Sequence, residues 1–264
     1  MLKELGFYLG GDLNEAHDNL WYTVLFKHPE LLDCSDEDLQ ARLCIFEMAM
    51  RGGRSFSDTQ VRLLSLIAAR RSRDYEALRS NEYQAAWVDL RIRSMLERGT
   101  SLELSQKWGW KEPNTHVLFD RLNRFIPGLR YIHVVRNGLD MAYSANQNQV
   151  RLWGPVFLGE EFHAVTPRLS LRYWRLVHER ILRLRALAPG PFLLLNYDLL
   201  FTNTQIELPK LLEFLDIPDS QSLVAELSAH IRPPTSIGRF RLHEPSDFDA
   251  GDVAFVRSLG FETT

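Results

Sequence analysis

The stretch that decides the fold reads Arg130-Tyr-Ile-His-Val-Val-Arg136-Asn-Gly-Leu-Asp-Met-Ala-Tyr-Ser144. Its centre, Tyr-Ile-His-Val-Val, is a continuous apolar and β-branched run of the kind found in buried parallel strands. Asn137 and Asp140 then stand at the N-cap and N3 positions of a helix that follows directly. A strand that leads straight into a helix predicts an α/β fold, in which ligands bind at the carboxyl ends of parallel strands.

The chain downstream repeats the alternation of strand and helix. A second strand is predicted over Phe192–Asn196, followed by a helix that includes Leu208–Leu215. A long helix opened by Thr166 and Pro167 lies between the two strands. Residues 150–165 show no clear period and are a candidate acceptor loop or lid, although an ordinary surface excursion is an equal alternative.

Upstream, only helix patterns and loops are present. Ser35 caps a helix that ends at Gly52-Gly53, and Ser57-Asp-Thr-Gln60 is a capping box for a helix running to about Arg70. A third helix is predicted over 81–97.

Composition and charge limit the class of protein. The chain has 264 residues, 45% of them apolar and 25% charged, and its formal charge of −3 argues against a dedicated nucleic-acid binder. Without a Pro, Gly or Ser-rich linker, we predict one domain over 1–264, with a mainly helical part over 1–105 and an α/β part over 106–264. No apolar run is long enough for a transmembrane segment and no signal peptide is visible. The two cysteines, Cys34 and Cys44, fit a reducing compartment, so we expect a cytoplasmic protein.

The stretch quoted first also predicts an anion site. Arg136 would emerge from the carboxyl end of the strand and Ser144 would lie two turns into the helix, so that a guanidinium and a hydroxyl converge on a phosphate. The alternative is an arginine that ends a strand in a surface ion pair. At these residues the sequence resembles the sulfotransferase family, whose members hold the 3′-phosphate of 3′-phosphoadenosine 5′-phosphosulfate (PAPS) with such an Arg and a Ser eight residues later.

A second resemblance lies in Trp108-Gly-Trp-Lys111-Glu-Pro-Asn114, between a predicted short strand over Lys107–Trp110 and a helix predicted from Asn114 to Phe125. It is similar to the Gly-x-Lys-x-Pro segment of bacterial and protein-tyrosine sulfotransferases, where the Lys points at the sulfonate. The resemblance implies that Lys111 stabilises the charge that develops during sulfonyl transfer. A solvated Lys is the alternative.

The acceptor-side base has several candidates. Cytosolic relatives use a His just after the Lys segment, where this sequence has Glu112. Glu112 could take the acceptor proton or cap the helix that follows. Glu15, His17 and Asp18, placed on the first helix, are the other candidates, with a solvated helix face as their alternative. No histidines stand at metal-ligand spacing, so no metal is implied.

Two later segments complete the resemblance. Phe192-Leu-Leu-Leu-Asn-Tyr197-Asp resembles the family's strand ending in Tyr-Glu-Asp-Leu, with only one acid, and implies that Tyr197 lies near the donor nucleotide. A Tyr that merely closes the strand is the alternative. Arg232-Pro-Pro-Thr-Ser236-Ile-Gly-Arg239-Phe-Arg241 resembles the family's late loop and implies donor contacts from Ser236 and Arg239, with a plain basic loop as the alternative.

Together the resemblance implies a P-loop NTPase-like parallel sheet flanked by helices, and sulfonate transfer from PAPS to a hydroxyl or amine of a small-molecule, carbohydrate or lipid acceptor. A non-catalytic nucleotide- or glycan-binding relative is the alternative. A nucleotide kinase is disfavoured because no Walker loop and no Mg²⁺-binding Asp motif are found.

One element of the family pattern has no match. Family members open with a strand and an Arg/Lys-Ser-Gly-Thr loop for the 5′-phosphosulfate, whereas Leu5-Gly-Phe-Tyr-Leu-Gly10 matches only the segment that comes after them. We therefore expect residues 1–264 alone to bind the donor through its 3′-phosphate side and not to transfer sulfonate.

Overall fold

The computed structural model of the chain describes residues 1–52, 55–78, 84–97, 107–187, 190–218, 221–243 and 248–264. The chain divides into two units, Met1–Leu118 and Phe119–Thr264. Among the described helices, none is long and apolar enough to cross a membrane.

Two helices of the first unit begin at the predicted caps. The Ser35 hydroxyl accepts the backbone N–H of Asp38 at 3.1 Å, and Ser57 and Gln60 exchange the two hydrogen bonds of the predicted capping box. The second of these helices extends well beyond its predicted end, and residues 81–83 of the third predicted helix lie outside the described residues. The described α-helices of this unit are α1 (Leu20–Phe26), α2 (Asp36–Arg51), α3 (Asp58–Leu78) and α4 (Ala85–Leu96).

Two buried arginines hold the carboxyl end of α1. Arg42, on α2, donates to the Leu25 carbonyl at 3.0 Å. Arg71, on α3, donates to the carbonyls of Thr23 and Lys27 at 2.9 and 3.0 Å. Because the last carbonyls of a helix have no partner within it, these guanidinium groups both satisfy them and fix α2 and α3 against α1.

The predicted strand over Lys107–Trp110 is wrong. In the described residues, this segment forms a single parallel bridge, between Tyr8 and Trp108. Two backbone hydrogen bonds with Tyr8, each 3.0 Å long, hold the segment. Aromatic packing holds it as well, because the Trp110 ring stacks on Tyr22 at 5.7 Å between centroids and meets Phe46 edge-on at 5.4 Å. The segment that precedes Lys111 is therefore packed on aromatic rings and is not a strand of a sheet.

The helix predicted from Asn114 to Phe125 has two parts. A 3-10 turn covers Thr115–Leu118, and an α-helix, α5, covers Phe119–Phe125.

The second unit contains the predicted parallel sheet, with strands β1 (Tyr131–Val135) and β2 (Phe192–Asn196). Their register pairs Tyr131 with Phe192 and Val135 with Asn196. Both strand predictions and the α/β class are confirmed, although most of the secondary structure is helical. The first strand is not buried throughout, because Val134 is 47% exposed. The described α-helices between the strands are α6 (Gly138–Ala142), α7 (Asn148–Phe157) and α8 (Pro167–Leu187), and those after β2 are α9 (Tyr197–Thr202), α10 (Thr204–Phe214), α11 (Gln221–His230) and α12 (Ala250–Ser258).

A close contact between α6 and α8 fixes the start of α6. A Cβ atom on Gly138 would lie 2.7 Å from the Trp174 ring, nearer than side chains tolerate. Glycine therefore allows α6 to lie directly on α8, just after Arg136. The apolar core around this contact joins β1, α6, α8 and α12 through Val135, Leu139, Ala142, Leu171, Trp174, Val256 and Phe261.

The irregular loop or lid predicted over 150–165 is wrong for its first half. Helix α7 covers Asn148–Phe157 even though Pro155 lies inside it. The helix forms because its apolar side chains Val150, Leu152 and Trp153 are buried, and this burial outweighs the backbone hydrogen bond that proline removes.

Candidate functional site

The parallel register brings Arg136 and Tyr197 together. Each residue directly follows the last residue of its strand, and those last residues, Val135 and Asn196, are partners in the sheet. The guanidinium carbon of Arg136 lies 4.5 Å from the centroid of the Tyr197 ring, within the range of a cation–π contact. Both of these candidates from the sequence therefore lie at the carboxyl ends of the strands, where an α/β sheet binds its ligands.

Arg136 keeps hydrogen-bonding capacity for a ligand. Its Nη2 donates to the Ser236 hydroxyl at 2.7 Å. Its buried Nε finds no hydrogen-bond partner in the described part of the chain. A buried N–H without a partner is costly, and a phosphate, which accepts two parallel N–H bonds from a guanidinium, fits this geometry.

The segment Ser236–Phe240, called here the late loop, runs beside α6. Ser236 contacts Arg136, which precedes the helix. Arg239 donates from Nη1 to the carbonyl of Tyr143, just past its other end, at 3.4 Å. Gly238 has a φ of +76° and lies between these two contacts, a backbone conformation that glycine adopts at no steric cost. The loop therefore adds a hydroxyl and a second guanidinium along α6.

Ser144 does not lie two turns into a helix. The helix α6 ends at Ala142, so Ser144 follows it, and its hydroxyl accepts the Asn146 N–H at 3.3 Å. The reason is Gln147, whose side-chain amide donates to the carbonyls of Met141, Ala142 and Ser144 and so replaces the next helical turn. The hydroxyl bonded to Arg136 in the structure is that of Ser236.

The capping box predicted at the start of α6 is only half formed. The Asn137 side chain accepts the Leu139 N–H at 2.9 Å, as expected of an N-cap. The backbone N–H of Asn137, which the N3 carboxylate would accept in a capping box, is bonded to Asp198 instead. Asp140 is therefore not used as a cap, and its carboxylate accepts the backbone N–H groups of Gly238 and Phe240.

Asp198 interacts with Arg136, and the sequence analysis assigned it no role. Partial burial raises the pKa of the Asp198 carboxyl, and the nearby Asp140 carboxylate raises it further. The Arg136 guanidinium and the Asn137 N–H oppose that pKa shift.

Lys111 and Glu112 belong to the first unit. The Lys111 ammonium forms an ion pair with Asp18 and donates to the Ala16 carbonyl at 3.1 Å. Glu112 is buried, and its two carboxylate oxygens accept the backbone N–H and the side-chain amide of Asn114 at 2.6 and 2.7 Å. Burial raises the pKa of Glu112 to about 7. An acid with this pKa can exchange a proton near neutral pH.

Glu15, His17 and Asp18 do not lie on a helix as predicted. The segment is a turn, closed by bonds between Asn14 and Asp18 at 2.8 and 2.9 Å. The first α-helix begins only at Leu20, after the Asn19 cap. Of the three candidates, Asp18 is the one that contacts Lys111.

In the described residues, no three His, Cys, Asp or Glu side chains are grouped to hold a metal ion.

A model of the sulfotransferase family matches residues 22–221. No curated protein and no solved structure gave a significant match. The matched range covers most of the chain and includes five of the candidate residues, Lys111, Glu112, Arg136, Ser144 and Tyr197, and it ends before the late loop. The chain belongs to the sulfotransferase family.

Proposed function

We propose that this protein binds PAPS and transfers its sulfonate to a hydroxyl or amine of an acceptor molecule. Family membership supports sulfonate transfer as the type of reaction. The observation that carries the choice of donor is Arg136, which stands at the carboxyl ends of both strands with a hydroxyl partner and a buried, unused Nε. We also propose that the sheet is of the P-loop NTPase-like type. The acceptors would be small molecules, carbohydrates or lipids.

Arg136, Ser144 and Ser236 would hold the 3′-phosphate of the donor. A guanidinium and hydroxyl groups supply the donors that a phosphate dianion needs, and bonds to such a charged group are the stronger ones. Arg239 would add a second positive charge, and Tyr197 would contact the nucleotide through its ring.

Lys111 and Glu112 would serve the transfer itself. PAPS supplies an activated sulfonate: its S–O bond to the 5′-phosphate breaks, and a new bond forms from sulfur to the acceptor oxygen or nitrogen. The Lys111 ammonium would stabilise negative charge on the leaving oxygen. Glu112 would take the acceptor proton, since its pKa of about 7 lies near the working pH of a general base.

Calorimetric titration with 3′-phosphoadenosine 5′-phosphate (PAP) and with AMP tests the binding half of this proposal. The two ligands differ only in the 3′-phosphate, so tighter binding of PAP is the expected result, and equal affinity contradicts the donor assignment. Radiolabelled PAPS, incubated with a panel of hydroxyl and amine acceptors, tests the transfer half. Preferential binding of PAP without any transfer would support the donor assignment and agree with the expectation that residues 1–264 alone do not transfer sulfonate, whereas robust transfer would overturn that expectation.

A further inference from the structure

The carboxylate of Asp140 is committed to the late loop. Asp140 lies on α6 and is only 3% exposed. One of its oxygens accepts the Gly238 N–H at 2.8 Å and the other accepts the Phe240 N–H at 3.0 Å. Both oxygens are thus bonded to backbone groups of one segment, about 100 residues away along the chain.

These two bonds lie on either side of Arg239 and close to Ser236, the two late-loop residues of the candidate site. Ser236 stands two positions before Gly238 and contacts Arg136. Arg239 stands between the two bonded N–H groups and contacts the Tyr143 carbonyl. Because Gly238 and Phe240 are fixed to α6, the backbone on both sides of Arg239 is fixed, and Ser236 is held within reach of Arg136.

A neutral side chain could not replace this carboxylate. An ionised carboxylate accepts at both oxygens, whereas an amide of the same shape accepts at one atom and donates at the other. An Asn at position 140 would therefore leave one late-loop N–H facing a second donor, and an Ala would remove the acceptors of both N–H groups.

We propose that Asp140 is a positioning residue of the nucleotide site, a role that rests on the proposed function. Its two carboxylate oxygens are bonded to the late loop, so it would act through the loop and not on the nucleotide itself. By holding the late loop on α6, it places Ser236 beside Arg136 and Arg239 beside the end of α6, so that both reach the 3′-phosphate of the donor.

The test compares Asp140→Asn and Asp140→Ala with the wild type and with a control, Asp252→Asn. Asp252 is as deeply buried, but its carboxylate binds Arg172 and Arg175 of α8 instead of the late loop. We expect Asp140→Asn to weaken PAP binding about tenfold, because a displaced late loop loses one hydrogen bond to the charged 3′-phosphate. AMP has no 3′-phosphate, so its binding should change by less than about twofold. The Asp252→Asn variant should lose stability and keep its preference for PAP.

Hydrogen exchange and a double-mutant cycle separate positioning from general stability. In Asp140→Asn, amide exchange should rise in the late loop and stay unchanged in α8. In the Asp140→Asn background, Ser236→Ala should cost little further PAP affinity, because the hydroxyl is already misplaced. If Asp140→Ala does not fold, the Asn variant alone decides the outcome.

Two failures are distinguishable. A wild-type protein with equal affinity for PAP and AMP overturns the proposed function and this role of Asp140 with it. A wild type that prefers PAP, together with an Asp140→Asn variant that keeps the full preference or loses affinity for both nucleotides alike, overturns the role of Asp140 alone.

Discussion

The Nη2 atom of Arg136 donates a 2.7 Å hydrogen bond to the hydroxyl of Ser236, so the residue that follows β1 and a residue of the late loop meet in one site. Each belongs to a separate motif in the sequence. Their contact makes one cluster out of two stretches that resemble sulfotransferases independently, and it supplies the hydroxyl and guanidinium donors that a phosphate requires.

Replacing either hydroxyl of the proposed phosphate site should weaken PAP binding. In Ser236→Ala and in Ser144→Ala, one hydrogen bond to a charged group is lost, which costs about 1.5 to 3 kcal/mol. Ser258→Ala is the matched control, because that exposed hydroxyl donates only to the Phe255 carbonyl of its own helix. Calorimetry with PAP measures the change. Full affinity in Ser236→Ala would argue that the late loop does not touch the nucleotide.

In a version of the protein that is active in sulfonate transfer, Lys111→Met should lower kcat and leave nucleotide affinity nearly unchanged. A group that acts on charge developing in the transition state contributes little to binding the ground state. Lys107→Met, in the same segment, is the control, since its ammonium lies over the Phe7 ring at 5.7 Å. Steady-state turnover and PAP titration of both variants are compared. Loss of affinity with normal turnover of bound donor would make Lys111 a binding residue.

Glu112→Gln should remove a pH-dependent loss of stability. Burial raises the Glu112 pKa in the folded chain to about 7, against an ordinary value of 4.5. Between these two pH values Glu112 is ionised in the unfolded chain but still protonated in the folded chain. The free energy of unfolding therefore falls as pH rises, by up to about 1.4 kcal/mol per pH unit. Urea unfolding at about pH 5 and about pH 8 measures this slope. We expect the free energy of unfolding of the Gln variant to rise relative to that of the wild type at the higher pH. An unchanged slope would contradict the raised pKa.

Transfer kinetics decide between the two roles of Glu112. As the acceptor-side base, Glu112 must be ionised, so turnover should rise with pH through about 7 and Glu112→Gln should lose that rise. As a cap that only holds Asn114, it should affect stability and leave the pH profile of turnover unchanged.

Gly138→Ala should destabilise the second unit. The added methyl group would lie 2.7 Å from the Trp174 ring, and overpacking of this kind costs about 1 to 3 kcal/mol. Gly109→Ala is the control, because a Cβ there meets nothing within 4 Å. Denaturant unfolding gives both values. Equal stability of the two variants would show that α6 moves away from α8 without cost.

The sequence predicted those features that depend on short-range patterns. Both strands and the Ser35, Asn137 and Thr166 caps follow from a few neighbouring residues. The position of Arg136 at the carboxyl end of a strand follows as well, whereas its contact with Tyr197 depends on the register that pairs Val135 with Asn196. No such local pattern predicts the bonds of Asp140, the end of α6 or the structure of the segment before Lys111.

Those features depend on partners far away along the chain. Asp140 stands at capping-box spacing, yet its carboxylate turns to the late loop because Asp198 occupies the N–H that it would have capped. The end of α6 before Ser144 depends on the Gln147 amide. The segment before Lys111 is held by ring packing on Tyr22, whereas its β-propensity alone favoured a strand.

The most direct test of the account is the affinity of the wild type and of Arg136→Ala for PAP and AMP, measured by calorimetry. The account predicts that the wild type prefers PAP, and that Arg136→Ala loses about 1.5 to 3 kcal/mol of PAP affinity while AMP affinity stays the same. Arg130→Ala should keep the preference, since that guanidinium binds the Phe214 carbonyl and Asp216. Equal affinity of the wild type for the two nucleotides, or a preference that survives in Arg136→Ala, would contradict it.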